Sequence, residues 1–313
     1  MVGGVLMNSK KRSINNKMPK RHDPFTKTGN WFLSWLCTVA LLTSYWISAN
    51  AHAATFDAEV AVTDDDNVTQ AELDSDIKED QFVSFAFSVS ALKSFNVNRR
   101  LVYRGFLNAR GYDKYDGLSN LEVGGQVTYQ YRGSGAFTEP TLGAFIKGAI
   151  ADYDSDLRDS DLLSLGVSWR KPFTDRITYT AILADKWRDS DSTVFDTEEL
   201  SLLQNLDYIL GRRWTLYLTY DYRAGDIVST GAPSLRIVGV ADEINADDAF
   251  GGAAANIFAY RLDAQTDVFT LGTNYRISEK HSLDISGRWI DSSADDGISY
   301  DRQQLSLAYL ARF

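Results

Sequence analysis

Residues 303–313, QQLSLAYLARF, alternate in character almost without a break. Leu305, Leu307, Tyr309, Ala311 and Phe313 fall on one face, and Ser306, Ala308 and Arg312 on the other, with Leu310 the one apolar intruder. A period of two is the signature of a strand. The pattern recurs upstream. In 121–132, Leu121, Val123, Val127, Tyr129 and Tyr131 oppose Glu122, Gln126, Thr128, Gln130 and Arg132. In 214–223, Trp214, Leu216, Leu218, Tyr220 and Tyr222 oppose Thr215, Thr219, Asp221 and Arg223. Twelve such runs are expected, at 55–63, 82–93, 100–112, 121–132, 141–151, 163–172, 177–187, 200–210, 214–223, 266–277, 282–291 and 303–313.

A soluble sandwich also alternates, so the spacers and the aromatics must decide. Connections at 94–99, 133–140, 173–176, 211–213 and 278–281 are short. Those at 64–81, 113–120, 152–162, 188–199, 224–265 and 292–302 are longer and mostly acidic. Short and long alternate around the chain, as the turns and loops of membrane barrels do. Tyr103, Tyr129, Tyr131, Trp169, Tyr179, Tyr208, Trp214 and Tyr275 sort toward the short-turn end, and Trp187, Tyr220, Tyr222 and Trp289 toward the loop end. Two aromatic belts suit two membrane interfaces. The expected fold is all-β, a transmembrane antiparallel up-and-down β-barrel of about twelve strands. Fourteen is the alternative if 234–241 and 254–261 are strands.

The final strand, with its apolar outer face and terminal Phe313, resembles the closing strand of Gram-negative outer-membrane β-barrels. The resemblance is to the porin-like class and covers residues 54–313. It implies that Leu307, Tyr309 and Phe313 form the signal read by the barrel-assembly machinery. It also implies an outer-membrane protein with both termini periplasmic, in contact with lipid and lipopolysaccharide.

Residues 1–53 read as a signal peptide. Seven Lys and Arg residues precede the uncharged apolar stretch 31–49, and small-x-small sites end at Ala51 and Ala53. A start at Met18 would give an n-region of ordinary length and make residues 1–17 a gene-start artefact. The chain has 32 basic and 42 acidic residues; the leader holds seven and one, leaving 25 and 41. That balance argues against nucleic acid as a partner. The only cysteine, Cys37, lies in the leader, so the barrel needs no disulfide.

Alternation turns one set of charges inward: Arg104, Arg110, Arg132, Lys147, Arg170, Arg223, Arg276, Arg288 and Arg312, with the acids Glu122, Asp207, Asp221 and Asp284. Rings of Arg or Lys favour anions. The expected function is therefore a porin-like channel for small, anionic solutes. The alternative is a narrow or plugged barrel, its charges paired internally, whose acidic loops contact lipopolysaccharide or another surface partner. The 224–265 segment is either a constriction loop or a mobile surface loop. Asp152, Asp154 and Asp156 open like a calcium loop, but Leu157 stands where glycine is required, so no metal or other cofactor is assigned. Asn67-Val68-Thr69 matches a glycosylation sequon by chance. His281 is the only histidine after residue 53, and no nucleophile and orienting acid are spaced to join it, so no enzyme is expected.

Overall fold

The computed structural model describes residues 54–133 and 136–313; the expected leader lies outside them. Thirteen strands form one antiparallel sheet: β1 Thr55–Asp65, β2 Asp80–Ser94, β3 Arg99–Tyr112, β4 Asn120–Arg132, β5 Thr141–Tyr153, β6 Ser160–Pro172, β7 Ile177–Ser190, β8 Thr197–Leu210, β9 Trp214–Gly231, β10 Glu243–Ala246, β11 Phe258–Arg276, β12 His281–Ala294 and β13 Ser299–Arg312. Neighbours in sequence pair in turn. β9 pairs with β11, and β13 returns to β1, which closes a barrel of twelve strands with the short β10 added beside β11. Closure removes the free edges that lipid does not tolerate. The seam is sealed at the chain end, where Phe313 N donates to Phe56 O at 2.8 Å.

Followed from strand to strand, the registers close with a stagger of about 16 residues, which for twelve strands implies a tilt of about 42° and a backbone radius of about 13 Å. An eight-stranded barrel is filled by its own side chains. Twelve strands leave room for more.

The outer wall is apolar and uncovered: Val83, Ile146, Leu165, Leu271, Ile285 and Leu307 are each about half exposed. A continuous surface of this kind requires a lipid solvent. Aromatics flank it at both ends. Trp214 packs on Tyr275 (4.7 Å) and Trp169 on Tyr179 (5.6 Å) toward the short turns, and Tyr220 on Phe269 (4.8 Å) toward the loops.

β9 and β11 run much farther than their alternation announces. Past Gly225, whose φ is +135°, β9 loses its pairing with β8 but stays paired with β11 as far as Gly231. A Cβ at Gly225 would lie 2.1 Å from the Glu198 carbonyl oxygen. Only glycine allows that approach and that backbone angle. The extended hairpin is built into a cap of packed loops at the barrel mouth. The segment 234–241, a strand only in the fourteen-strand alternative, is a helix, α1 Leu235–Val240, started by Ser234, whose Oγ accepts from Ile237 N at 3.3 Å. Its Ile237 and Val240 pack on a buried cluster of Tyr260, Leu262, Ile298 and Tyr300. Of the other segment in that alternative, 254–261, only the part from Phe258 is extended, as the start of β11.

Candidate functional site: the lumen and its capped mouth

The cap is held on both faces of the hairpin. On one, the β1–β2 loop meets β9: Thr230 N donates to Thr69 O (2.8 Å), Gln70 Nε2 to Val228 O (3.1 Å) and Ser229 Oγ to Gln70 O (2.8 Å). Asn67 and Thr69, the sequon residues, are buried inside this loop, with Thr69 Oγ1 donating to Asn67 Oδ1 at 3.1 Å. On the other face, the 232–257 connection reaches the loops of the far wall. Arg158 pairs with Asp247 at 2.6 Å, and Asp247 also accepts from Thr230 Oγ1 at 2.7 Å. Ser155 Oγ donates to Asp248 at 2.5 Å, Asn245 Nδ2 to Ser192 Oγ at 2.8 Å, and Phe250 lies on Tyr115 at 4.8 Å. The long segment is thus a fixed bridge across the mouth.

The β5–β6 and β7–β8 loops bring acids together. The Asp159 carboxyl is pushed up to about 6, first by burial, against the lowering effect of the Tyr153 N–H that it accepts at 2.7 Å; Asp152, Asp191 and Asp156 add to the rise. Asp191 is raised by burial and by Asp156 and Asp189. Among the described residues no group of such side chains is placed to hold a metal ion.

Below the cap, the inner wall carries the charges in two tiers. The upper tier is largely paired. Lys147 bonds Glu122 at 3.2 Å and Lys186 bonds Glu199 at 2.7 Å. Arg223 bonds Asp221 at 2.7 Å and lies 3.7 Å from Glu199, while Ser201 Oγ donates to Asp221 at 2.7 Å. Asp65 and Arg302 form an ion pair that sequence reasoning missed. Arg302 Nε donates at 2.8 Å and its Nη2 makes a second contact; Gln304 Nε2 adds a third donor at 2.7 Å. Asp65 lies in an acidic run that reads as loop, so only its register opposite Gln304 brings it inward.

The lower tier surrounds a cavity of about 390 Å³ at the short-turn end, lined in part by Asp57, Glu59, Arg104, Asn274, Arg276 and Arg312. Arg312 bonds Asp57 at 2.7 Å. Asp284 accepts from Tyr217 Oη at 2.7 Å. Asp207 sits between Thr178 and Tyr217 on the ladder. Arg132 is engaged elsewhere: its Nη2 donates to the carbonyls of Ala136 (2.6 Å) and Phe137 (3.1 Å) in the β4–β5 turn. Arg104, Arg110, Arg170, Arg276 and Arg288 form no ion pair among the described residues. Of these, Arg104, Arg110, Arg170 and Arg276 are exposed to the solvent of the bore or its rim.

Three inward rings lie flat along the wall. A Cβ on Gly124 would meet Phe106 at 2.4 Å, one on Gly166 would meet Phe145 at 2.5 Å, and one on Gly272 would meet Tyr217 at 2.2 Å. Each ring therefore covers a glycine of the neighbouring strand and is kept out of the bore.

No family model matches the chain, and no curated protein does. Among solved structures it is similar to an outer membrane channel from Pseudomonas putida F1, at 13% identity over 83% of this chain and 95% of that one, with a TM-score of 0.53. The CymD monoaromatic hydrocarbon channel matches at 10% identity over 84% of this chain and 89% of its own, TM-score 0.45. The KdgM porin in complex with disordered oligogalacturonate matches at 8% identity over 83% and 99%, TM-score 0.40. The chain has the fold of an outer-membrane β-barrel.

The proposed assembly residues are placed on the closing strand. Leu307 and Tyr309 face outward, and Phe313 is exposed at the short-turn rim. His281 is also on the outer face, its Nδ1 2.7 Å from Tyr309 Oη and its ring stacked on that tyrosine.

Proposed function

We propose that this protein is an outer-membrane channel for small solutes, favouring anions, with both termini periplasmic and the cap extracellular. The observation that carries the reading is the set of inward arginines left without carboxylate partners among the described residues: Arg104 and Arg276 at the lower cavity, Arg110 and Arg288 above it. A guanidinium inside a low-dielectric wall keeps its charge only with water or a counterion beside it. That requirement supports a wet bore and biases it toward anions. Lipid covers the outer wall, lipopolysaccharide meets the acidic loops, and the assembly machinery reads Leu307, Tyr309 and Phe313; deleting Phe313 lowers the folded fraction in outer-membrane preparations.

The test is conductance of the purified protein in a planar bilayer under a salt gradient. Steady current with an anion-shifted reversal potential is expected, and Arg104→Ala with Arg110→Ala shifts that potential toward zero. The packed cap supports a second reading, a binding barrel with a closed mouth. A folded, heat-modifiable protein that stays electrically silent would favour it.

A further inference from the structure

Arg110 and Arg288 face the bore from β3 and β12, four strands apart around the wall. The ladder that starts at Arg110 passes through Ser84, Ala61 and Ala308 to Asp284 on β12. A stagger of about 16 residues over twelve strands means that residues at one height step by about 1.3 positions per strand relative to such a ladder. Four strands on, the level of Arg110 falls about five residues toward the mouth from Asp284, which is next to Arg288. The electrostatics agree: the charges of Arg110, Arg223 and Arg302 all act on Arg288, and those of Arg110 and Arg302 act on Tyr112.

Four guanidinium groups thus share one level with the carboxylates Asp65, Asp221 and Glu199. All three carboxylates are already committed, Glu199 to Lys186 at 2.7 Å and to Arg223 at 3.7 Å. Asp65 accepts from Arg302 and Gln304, and Asp221 from Arg223 and Ser201. Among the described residues Arg110 has no ion pair, and Arg288 has only a long contact of 3.4 Å to the neutral Gln304. Arg110 lies over the Phe82 ring, 6.0 Å from its centre, and Phe82 packs on Tyr112 at 4.9 Å. Ile290 is the next inward residue above Arg288.

We propose that Arg110 and Arg288 form a binding site for a small organic carboxylate, its head held by the two guanidinium groups and its apolar part resting on Phe82 and Tyr112. Arginine forks match a planar carboxylate through paired, charge-assisted hydrogen bonds. The nearby Asp65 and Asp221 disfavour a dianion such as phosphate. The inference deepens the channel reading and rests on it for the physiological role, but the binding can be measured without any current.

Benzoate is the probe, with inorganic phosphate and benzyl alcohol as controls for charge type and for the ring alone. Equilibrium dialysis of the full-length folded protein in detergent is expected to show saturable benzoate binding that exceeds both controls. In Arg110→Gln with Arg288→Gln, binding weakens by about tenfold or more, since both charged donors are gone. Arg110→Lys with Arg288→Lys keeps the charge but loses the fork, and is expected to recover part of the affinity. Folding of each variant is read from heat-modifiable mobility. Equal benzoate binding by wild type and the Gln variant overturns the site, as does phosphate binding as well as benzoate does. In bilayers, benzoate is expected to reduce the chloride current of wild type at lower concentration than that of the Gln variant. A silent protein that still binds benzoate in an arginine-dependent way keeps the site and removes the channel reading. A conducting protein without differential binding does the reverse.

Discussion

Two arginine–aspartate pairs, one at each end of the barrel, have nearly the same length and very different surroundings. At the mouth, Arg158 meets Asp247 at 2.6 Å with side chains 12% and 0% exposed; at the short-turn rim, Arg312 meets Asp57 at 2.7 Å with side chains 69% and 39% exposed. The first is enclosed by a small core in which Val194, Phe195 and Ala259 are buried, with the Arg158 guanidinium 4.1 Å from the centre of the Phe195 ring. The second stands in water. Distance alone therefore says little about energy; the cost of leaving a partner alone depends on whether water can replace it. The mouth is built like the interior of a soluble protein, and the rim is built like a surface.

The sharpest break of that contrast is Arg158→Ala. It strands a fully buried carboxylate, and a loss of about 3–5 kcal/mol from the cap is expected. Amide exchange across 243–250 should accelerate strongly while the barrel strands keep their protection. Gly225→Ala comes next. Its backbone angle and the Glu198 carbonyl forbid a methyl group, so about 1–3 kcal/mol of strain would loosen the extended hairpin. The hydrogen bond between Thr230 and Thr69 is the one to follow by exchange. A smaller effect attends pH. Asp159 titrates higher in the folded protein, at about 6, than its ordinary 3.8. The folded loop binds the proton more tightly, so its stability is fully present below about pH 4 and falls as pH rises through 6. Exchange in 154–159, corrected for intrinsic chemistry, should be more protected at pH 5 than at pH 7.5, and Asp159→Asn should flatten the difference. Least of all, Arg312→Ala at the open rim should change unfolding by no more than about 1 kcal/mol in urea titration. A larger loss there would erase the distinction between the two ends.

The same two regions differ in how far the sequence reveals them. Every barrel strand is announced by alternation, because lipid on one side and lumen on the other impose a period of two from Phe56 to Ala311. Strand ends fall within a few residues of expectation for most elements. β9 and β11 are the exceptions. Past Gly225 both faces of the hairpin are covered by loops, so Ile227, Val228, Ser229 and Tyr260 no longer sort by face. The contacts that make the cap join residues far apart in the chain, such as Ser155 with Asp248 and Gln70 with Val228. No local pattern encodes those pairs. Among the lumen residues, parity is enough to turn Arg104, Arg110 and Arg288 inward. It cannot distinguish them from Arg132, which is taken up by turn carbonyls, because that depends on the path of a connection rather than on a strand.

The ring resting on Gly272 carries an evolutionary consequence. A single base change converts a glycine codon to one for alanine, and here the added methyl would meet only the Tyr217 side chain and push that ring off the wall toward the axis. At Gly124 and Gly166 the methyl would also strike the carbonyl oxygens of Gly148 and Leu183, so the ladder there resists the same change. At Gly272 the aperture can thus be adjusted by inheritance in a small step, separately from the parts of the molecule that let it assemble.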